Sequence, residues 1–278
     1  MMDARLQLRI QRYGWDAAAA YYDAGWHAQL HPAHDRLLHM AGLTGGQQVI
    51  ETACGTGLVT LRIAEQVGPD GKVLATDLSE AMLDNVRSRL TGPHFSNIEL
   101  GRMAAERLDV PNGAFDAAIC ALGLMYTPDP AAAVAELVRV VKPGGTVAAT
   151  VWGERRNCGW ASVFAIVDAR VASEVCPNFF ATGVQGTLAK LFEIAGLEKV
   201  SEYRQLETLT FESDNDVVDA VLLGGRSPLP PRGSLGMFGK MCGGIFCHLS
   251  LATKAQTGAT GFRASFSPLR ASALELRL

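Results

Sequence analysis

Cysteine is scarce and scattered in this sequence. Cys54, Cys120, Cys158, Cys176, Cys242 and Cys247 form no C-x-x-C pair, which leaves neither zinc-site spacing nor a disulfide framework. A chain of 278 residues buries roughly 70–75% of its unfolded surface on folding and needs neither device. The thiols therefore read as reduced, in a cytoplasmic protein. Long apolar runs are also lacking. No stretch approaches the ~20 uninterrupted apolar residues of a membrane span, and the opening MMDARLQLRIQRYGW has no signal-peptide core. Acids almost vanish from the last fifth, where seven Lys/Arg after Gly225 face one acid, Glu275. The net charge of −3 thus divides into an acidic body and a basic tail. An acidic body is a poor surface for a phosphate backbone, so nucleic acid is not an expected partner.

What is present is periodicity. Residues 3–40 carry apolar positions at helical spacing (Leu6, Ile10, Tyr13, Ala17 to Tyr22, Trp26, Leu30, Leu37, Leu38), with a break expected near Pro32. From Gln47 short apolar runs of strand length appear: VIETA, KVLATD, IEL, FDAAICALG and TVAATVW. Helix-like segments such as LVTLRIAEQV and AAAVAELVRVV separate them. This alternation predicts a parallel, doubly wound α/β sheet, with its ligand at the carboxyl ends of the strands. Further helices are expected over WASVFAIVDARVASEV and GTLAKLFEIAG, then a strand near Lys199 to Leu206.

The sharpest local signal is Glu51-Thr52-Ala53-Cys54-Gly55-Thr56-Gly57, between the first strand and a helix. Two glycines one residue apart let the backbone turn tightly and approach a ligand, and the following helix N-terminus offers free N–H groups. A nicotinamide-binding loop requires G-x-G-x-x-G, and Thr60 occupies the third glycine's place, so an oxidoreductase reading loses ground. Asp77, at the end of the second strand, is placed to accept hydrogen bonds from both hydroxyls of a ribose. The alternative is an acid or Asx turn ahead of the helix SEAMLDNVRSR, which Ser79 is positioned to cap.

These residues resemble the class I S-adenosylmethionine-dependent methyltransferases. The likeness rests on E-T-A-C-G-T-G, A-T-D-L-S-E-A-M-L, A-E-R-L-D-V-P-N-G-A-F-D-A-A-I-C and V-K-P-G-G, in order, within a stretch from about Gln11 to Gly225. The sequence is most similar to the small-molecule branch of the ubiquinone/menaquinone biosynthesis enzymes. The resemblance implies a Rossmann-like sheet over 41–225 with an N-terminal helical lid (1–40) and an inserted helical cap around 153–196. It implies S-adenosylmethionine as cofactor and a small, aromatic or quinone-like acceptor. Glu51 would hold the methionine amine, with Gly55 and Gly57, beside Ala53, passing under the ligand. Asp77 would bind the ribose, Leu78 and Met82 would pack on adenine, and Cys120 and the residues after it would face the methyl group. In the loop after the third strand the family usually reads D-A-E, the Asp accepting from the adenine amino group. Here the loop reads Ala104-Ala105-Glu106, which keeps the backbone of Ala105 and loses the side-chain acceptor.

Methyl transfer from a sulfonium is a displacement that needs alignment, and needs a base only where the acceptor must lose a proton. Candidates are Tyr22, His27 and Tyr126. Their alternative roles are helix anchoring, a solvated surface and loop packing. His27, His31 and His34 have helical spacing, but no metal is expected, because no carboxylate or thiol partner recurs near them. Trp15, Tyr22 and Trp26 read either as stacking walls for a flat acceptor or as helix anchors. The tail, 226–278, is rich in Gly, Ser and Pro and has no sustained period. It reads either as a disordered basic extension or as an altered terminus whose last strand is missing or improvised from Ile245 to Leu251. Oligomeric state stays open. A cofactor-binding protein of the same fold without turnover is the rival function.

Overall fold

The computed structural model describes residues 4–91, 95–161, 179–224 and 260–273. Strand and helix alternate as the apolar periods require. The strands are β1 (Gln48–Thr52), β2 (Lys72–Asp77), β3 (Ile98–Arg102), β4 (Phe115–Ala121), β5 (Val141–Trp152), β6 (Leu197–Glu202), β7 (Gln205–Phe211) and β8 (Thr260–Ala273). The described helices are α1 (Ala4–Ala18), α2 (Tyr22–Ala41), α3 (Thr60–Val67), α4 (Glu80–Arg89), α5 (Pro130–Val140), α6 (Thr187–Ile194) and α7 (Asp214–Leu222). The sheet order is β3-β2-β1-β4-β5-β8-β6, with β7 also on β8. The first five strands are parallel, and β8 runs antiparallel to β5, β6 and β7.

Alternate residues of the central strands face opposite layers. Ile50, Ala118, Cys120, Val147 and Ala149 pack towards α2 and α5, with Leu30 and Leu137. Val49, Ala117, Ile119 and Ala148 pack towards α3, against Ile63 and Val67. Burial on both faces is why these strands read as near-continuous apolar runs. Ile63 and Val67, both buried, together contribute roughly 3–5 kcal/mol to holding α3 on the sheet.

Three expectations change. The N-terminal helical stretch divides at residues 19–21, and Pro32 lies inside α2. An interior proline costs a helix about 3 kcal/mol. Leu30, Ala33, Leu37, Leu38 and Ala41, all buried along this helix, outweigh it. The strand expected near Lys199 to Leu206 is two strands, β6 and β7, separated by Tyr203 and Arg204. Finally, the tail contributes β8, where an expectation of disorder or of a strand from Ile245 to Leu251 had stood; residues 245–251 lie outside the described residues. Pro268 is the reason β8 does not read as an interior strand. It falls opposite the interruption between β6 and β7, since Leu269 pairs Glu202 and Phe266 pairs Gln205. A residue without an N–H is tolerated in a sheet where no ladder bond is asked of it. The helix expected over WASVFAIVDARVASEV lies almost wholly outside the described residues.

A chain ended at Gly224 loses β8 and leaves one whole edge of β5 unpaired. Its thermal midpoint is expected to fall by about 10 °C or more relative to the full chain, with concentration-dependent association in light scattering. An unchanged midpoint and a monodisperse particle would show that β8 does not complete the sheet.

Candidate functional site

The strand order reverses between β1 and β4, and a crevice forms where the loops leaving neighbouring strands diverge. A cavity occupies it, lined by residues from the strand ends, from α1 and from the start of α2. Its base comes from the ends of four strands: Ala53 and Gly55 follow β1, Asp77 ends β2 ahead of Leu78, Met103 to Glu106 follow β3, and Ala121 ends β4 ahead of Leu122 and Gly123. Its roof is α1 and the start of α2, which supply Leu8, Gln11, Trp15 and Tyr22. Met82, Tyr126, Thr127 and Pro128 complete the wall.

Backbone strain concentrates here. Ala53 and Leu122, both on the wall, hold positive φ of 53° and 56°. Non-glycine residues seldom adopt this region, and it gathers at functional sites. The two loops press together at Gly123, where a Cβ would lie 2.5 Å from that of Ala53. Gly57 (φ 86°) faces Val86 of α4 at the equivalent of 3.1 Å, so the turn needs glycine for both its backbone and its clearance.

Asp77 ties the base together. One carboxylate oxygen accepts from the Gly55 N–H at 2.9 Å, the other from the Ser79 N–H at 2.8 Å. Burial pushes its pKa up to about 6, against the pull of the Ser79, Gly55 and Leu78 N–H groups. Ser79 caps α4 by accepting from the Met82 N–H at 3.1 Å and donates its hydroxyl to Asp16 of α1 at 2.6 Å. Asn85 donates to the Ala19 carbonyl at 2.9 Å, and Arg89 pairs with Asp23, which also accepts from the Thr56 hydroxyl. The roof is thus latched to α4 and to the β1 loop by polar contacts. Gln11 adds a bond from its amide to the Tyr126 carbonyl.

Glu51 stands behind the wall, fully buried. It accepts from the Thr60 hydroxyl at 2.6 Å through Oε2, while Oε1 has no partner. Thr60 stands where a dehydrogenase has its third glycine, and here its hydroxyl serves the acid. Burial pushes Glu51 up to about 8, with the Thr60 hydroxyl opposing and Asp77 adding to the rise. Among the described residues the wall itself carries two carboxyl groups, Asp77 and Glu106, and no basic side chain. Trp15, Tyr22 and Tyr126 form its aromatic corner. Trp15 meets Tyr126 edge-to-face at 4.8 Å and Tyr22 at 6.1 Å, and Phe179 backs Tyr126 at 5.1 Å.

Of the residues singled out in the sequence, Ala53, Gly55, Asp77, Leu78, Met82, Ala105 and Glu106 share this wall with Tyr22 and Tyr126. Gly57, Glu51 and Cys120 do not reach it. Cys120 is buried one residue before Ala121, and burial pushes its thiol up to about 11, which keeps it protonated. His27 is a correction. It is exposed and off the wall, because five residues after Tyr22 an unbroken helix has turned about 140°. The three histidines share no face either: His34 is buried, held neutral down to about 3 by desolvation, while His31 pairs with Asp35 at the surface. Trp26 is an anchor, donating to the Ala220 carbonyl of α7 at 2.8 Å, whereas Trp15 and Tyr22 face the cavity. Leu8, Gln11 and Met103 were not legible as wall residues. Helical spacing marks an inward face but not what lies beneath it.

A family profile described as a methyltransferase domain matches residues 49–145. The chain is 35% identical over 119 residues to a demethylmenaquinone methyltransferase of Listeria monocytogenes, covering 43% of this chain and 50% of that one. It is 34% identical over 176 residues to the ubiquinone/menaquinone biosynthesis C-methyltransferase UbiE of Cupriavidus necator, covering 59% of this chain and 72% of that one. The chain thus spans about half the length of the demethylmenaquinone enzymes it matches. The YcgJ protein of Bacillus subtilis shares the fold, with TM-score 0.61 and 17% identity over 88% of this chain and 99% of that one.

The raised Glu51 sets a sign for stability against pH. The folded chain holds this proton up to about pH 8, while the unfolded chain loses it near 4.5. The stabilisation is therefore full below about 4.5 and drains as pH rises to about 8, amounting to a few kcal/mol. Glu51→Gln keeps an acceptor for Thr60 and cannot ionise. In urea unfolding the variant should gain on the natural chain steadily between pH 5 and 8. A difference that stays flat across that range would contradict the burial of an uncompensated acid.

Proposed function

Because the chain belongs to the class I S-adenosylmethionine-dependent methyltransferases, we propose that its cavity takes S-adenosylmethionine and passes the methyl group to a small, aromatic or quinone-like acceptor. The observation that carries this reading is the cavity at the strand-order reversal, with the buried Asp77 carboxylate on one side and an aromatic corner on the other. The chemistry of the donor set fits the cofactor. An acid-rich base with no basic side chain suits a ligand bearing ammonium and sulfonium charges, and the unpartnered Glu51 Oε1 is an acceptor awaiting a donor.

The Asp77 carboxylate accepts from backbone N–H groups on both oxygens, and its remaining lone pairs would take the ribose hydroxyls. Glu51 would hold the amine, directly or through water. Gly55 and Gly57 let the backbone run beneath the ligand, and Leu78 and Met82 supply apolar faces for the adenine, with the Ala105 N–H at its edge. Cys120 acts from behind by seating Ala121 to Gly123. Bound in this place, S-adenosylmethionine supplies an electrophilic methyl group, and the chain supplies alignment and exclusion of water. Trp15, Tyr22 and Tyr126 form the wall for the acceptor, and ring walls favour a flat one. Tyr22 is no base: burial, with Asp77 beside it, pushes its hydroxyl above the ordinary tyrosine value. Tyr126 is the remaining candidate of the three for a hydrogen bond to the acceptor. The quinone biosynthesis named for the relatives is consistent with such an acceptor, and the free thiols accord with a cytoplasmic site of action. A cofactor-binding protein without turnover is the second reading, favoured by Ala104 standing on the wall where the family carries an acid.

Calorimetric titration with S-adenosylhomocysteine should give micromolar binding that Asp77→Ala weakens tenfold or more. Labelled-methyl transfer to a panel of phenols and hydroquinones should follow. Absence of binding would overturn the cofactor assignment, and binding without transfer to any acceptor would favour the second reading.

A further inference from the structure

The roof helix α1 turns a second face away from the cavity. Leu8, Gln11 and Trp15 point inward and line the wall. On the opposite side Leu6, Tyr13 and Ala17, at i, i+7 and i+11, form an exposed apolar crest, which Tyr21 continues past the end of the helix. Tyr13 leaves 60% of its surface in water and Tyr21 43%. Arg5, Arg9 and Arg12, at i, i+4 and i+7, run down one flank of that crest, and no acid precedes Asp16 in the helix. Asp16, the next position on the same flank, is engaged by the Ser79 hydroxyl. Among the described residues no carboxylate pairs with Arg9 or Arg12, and the Arg12 guanidinium lies over the Tyr13 ring, 4.8 Å from its centre.

The helix thus stands out from an otherwise acidic body, and its own stability does not call for the pattern. Cations favour the last turn of a helix, whereas Arg5 lies in the first, and a ring left mostly in water adds little burial to the fold. A cationic flank beside an apolar crest is the arrangement of a helix that lies in a bilayer interface, with its cations against lipid phosphates and its rings at headgroup level. We infer that the outer face of α1 docks the protein on an anionic lipid surface, the helix lying flat on the headgroups with the cavity on its far side. The choice of a bilayer over an acidic protein rests on the proposed acceptor, since a flat, apolar molecule partitions into lipid. Docked in this way, Trp15 and Tyr22 stand one helix diameter, about 10 Å, from the headgroups.

The test is sedimentation of the full chain with vesicles, which needs neither cofactor nor acceptor. The chain should sediment with vesicles of phosphatidylglycerol and phosphatidylcholine and stay in solution with phosphatidylcholine alone. Each cation at an anionic surface is worth about fivefold in binding, so Arg9→Glu combined with Arg12→Glu should weaken it by more than about tenfold. Tyr13→Ala should weaken it severalfold, and that loss should persist at high salt, where charge is screened. None of these three residues lines the cavity, so thermal midpoints and S-adenosylhomocysteine binding should match those of the natural chain. Failure to sediment with anionic vesicles would overturn the proposal and leave an acidic protein as the occupant of this face. Undiminished sedimentation of the arginine variant would overturn it too, by moving the lipid contact to the basic tail. Binding that the arginine variant loses and Tyr13→Ala leaves intact would mark a purely electrostatic patch and overturn the seating of the helix in lipid. Should the natural chain not bind S-adenosylhomocysteine, the cofactor reading would fall while the vesicle result stood on its own.

Discussion

The site depends on one buried carboxylate. Asp77 ends β2 and would be an energetic liability there, were its two oxygens not each taken by a backbone N–H from a different loop. Those bonds fix the separation between the β1 turn and the start of α4. Through Ser79 they extend to Asp16, and so to the roof. The pKa of about 6 records the balance: desolvation works against the charge, and three N–H groups hold most of it in place. Without the β1 turn the carboxylate loses the Gly55 N–H, and without the carboxylate the turn has no acceptor for it.

Base and roof are held by different physics. The base stands on a core whose strands are buried on both faces, and opening it would expose Ile50, Ile119, Val147 and their neighbours to water. At its rim the roof is held by hydrogen bonds and ion pairs from Asp16, Ala19 and Asp23 to α4. Such contacts near solvent are each worth about 1 kcal/mol or less and are screened by salt. Elements held mainly by polar rim contacts belong to the low-stability end of a structure, where ligand entry requires them. Farther along α2 the hold changes, since Trp26 is buried and donates to the Ala220 carbonyl of α7.

Much of this is legible in the sequence. Apolar runs of strand length alternating with helical periods specify a doubly wound sheet, because strands covered on both faces must be apolar throughout. Gly55, Gly57 and Asp77 announce a ligand at the strand ends by their chemistry and spacing. Three features escaped, each for a physical reason. Pro32 marks a helix break by local propensity, yet tertiary packing of the residues around it overrides that preference. His27 lies in an aromatic-rich segment, and only the phase of an unbroken helix shows that it faces water. The tail hides β8 because Pro268 is read as a strand breaker unless the gap opposite it, between β6 and β7, is known.

The place of β8 in the sheet also has a consequence for how the protein is made. β5 pairs on one side with β4, which precedes it closely, and on the other with β8, so that Trp152 waits for Phe266, about a hundred residues later. At ribosomal rates of roughly 5–20 residues per second, that interval is on the order of ten seconds. During it the parallel half of the sheet can assemble with its future neighbour still unsynthesised, and a long apolar strand presents an open ladder to whatever is nearby. In that interval the free edge of β5 is the place where premature strand pairing between chains would begin.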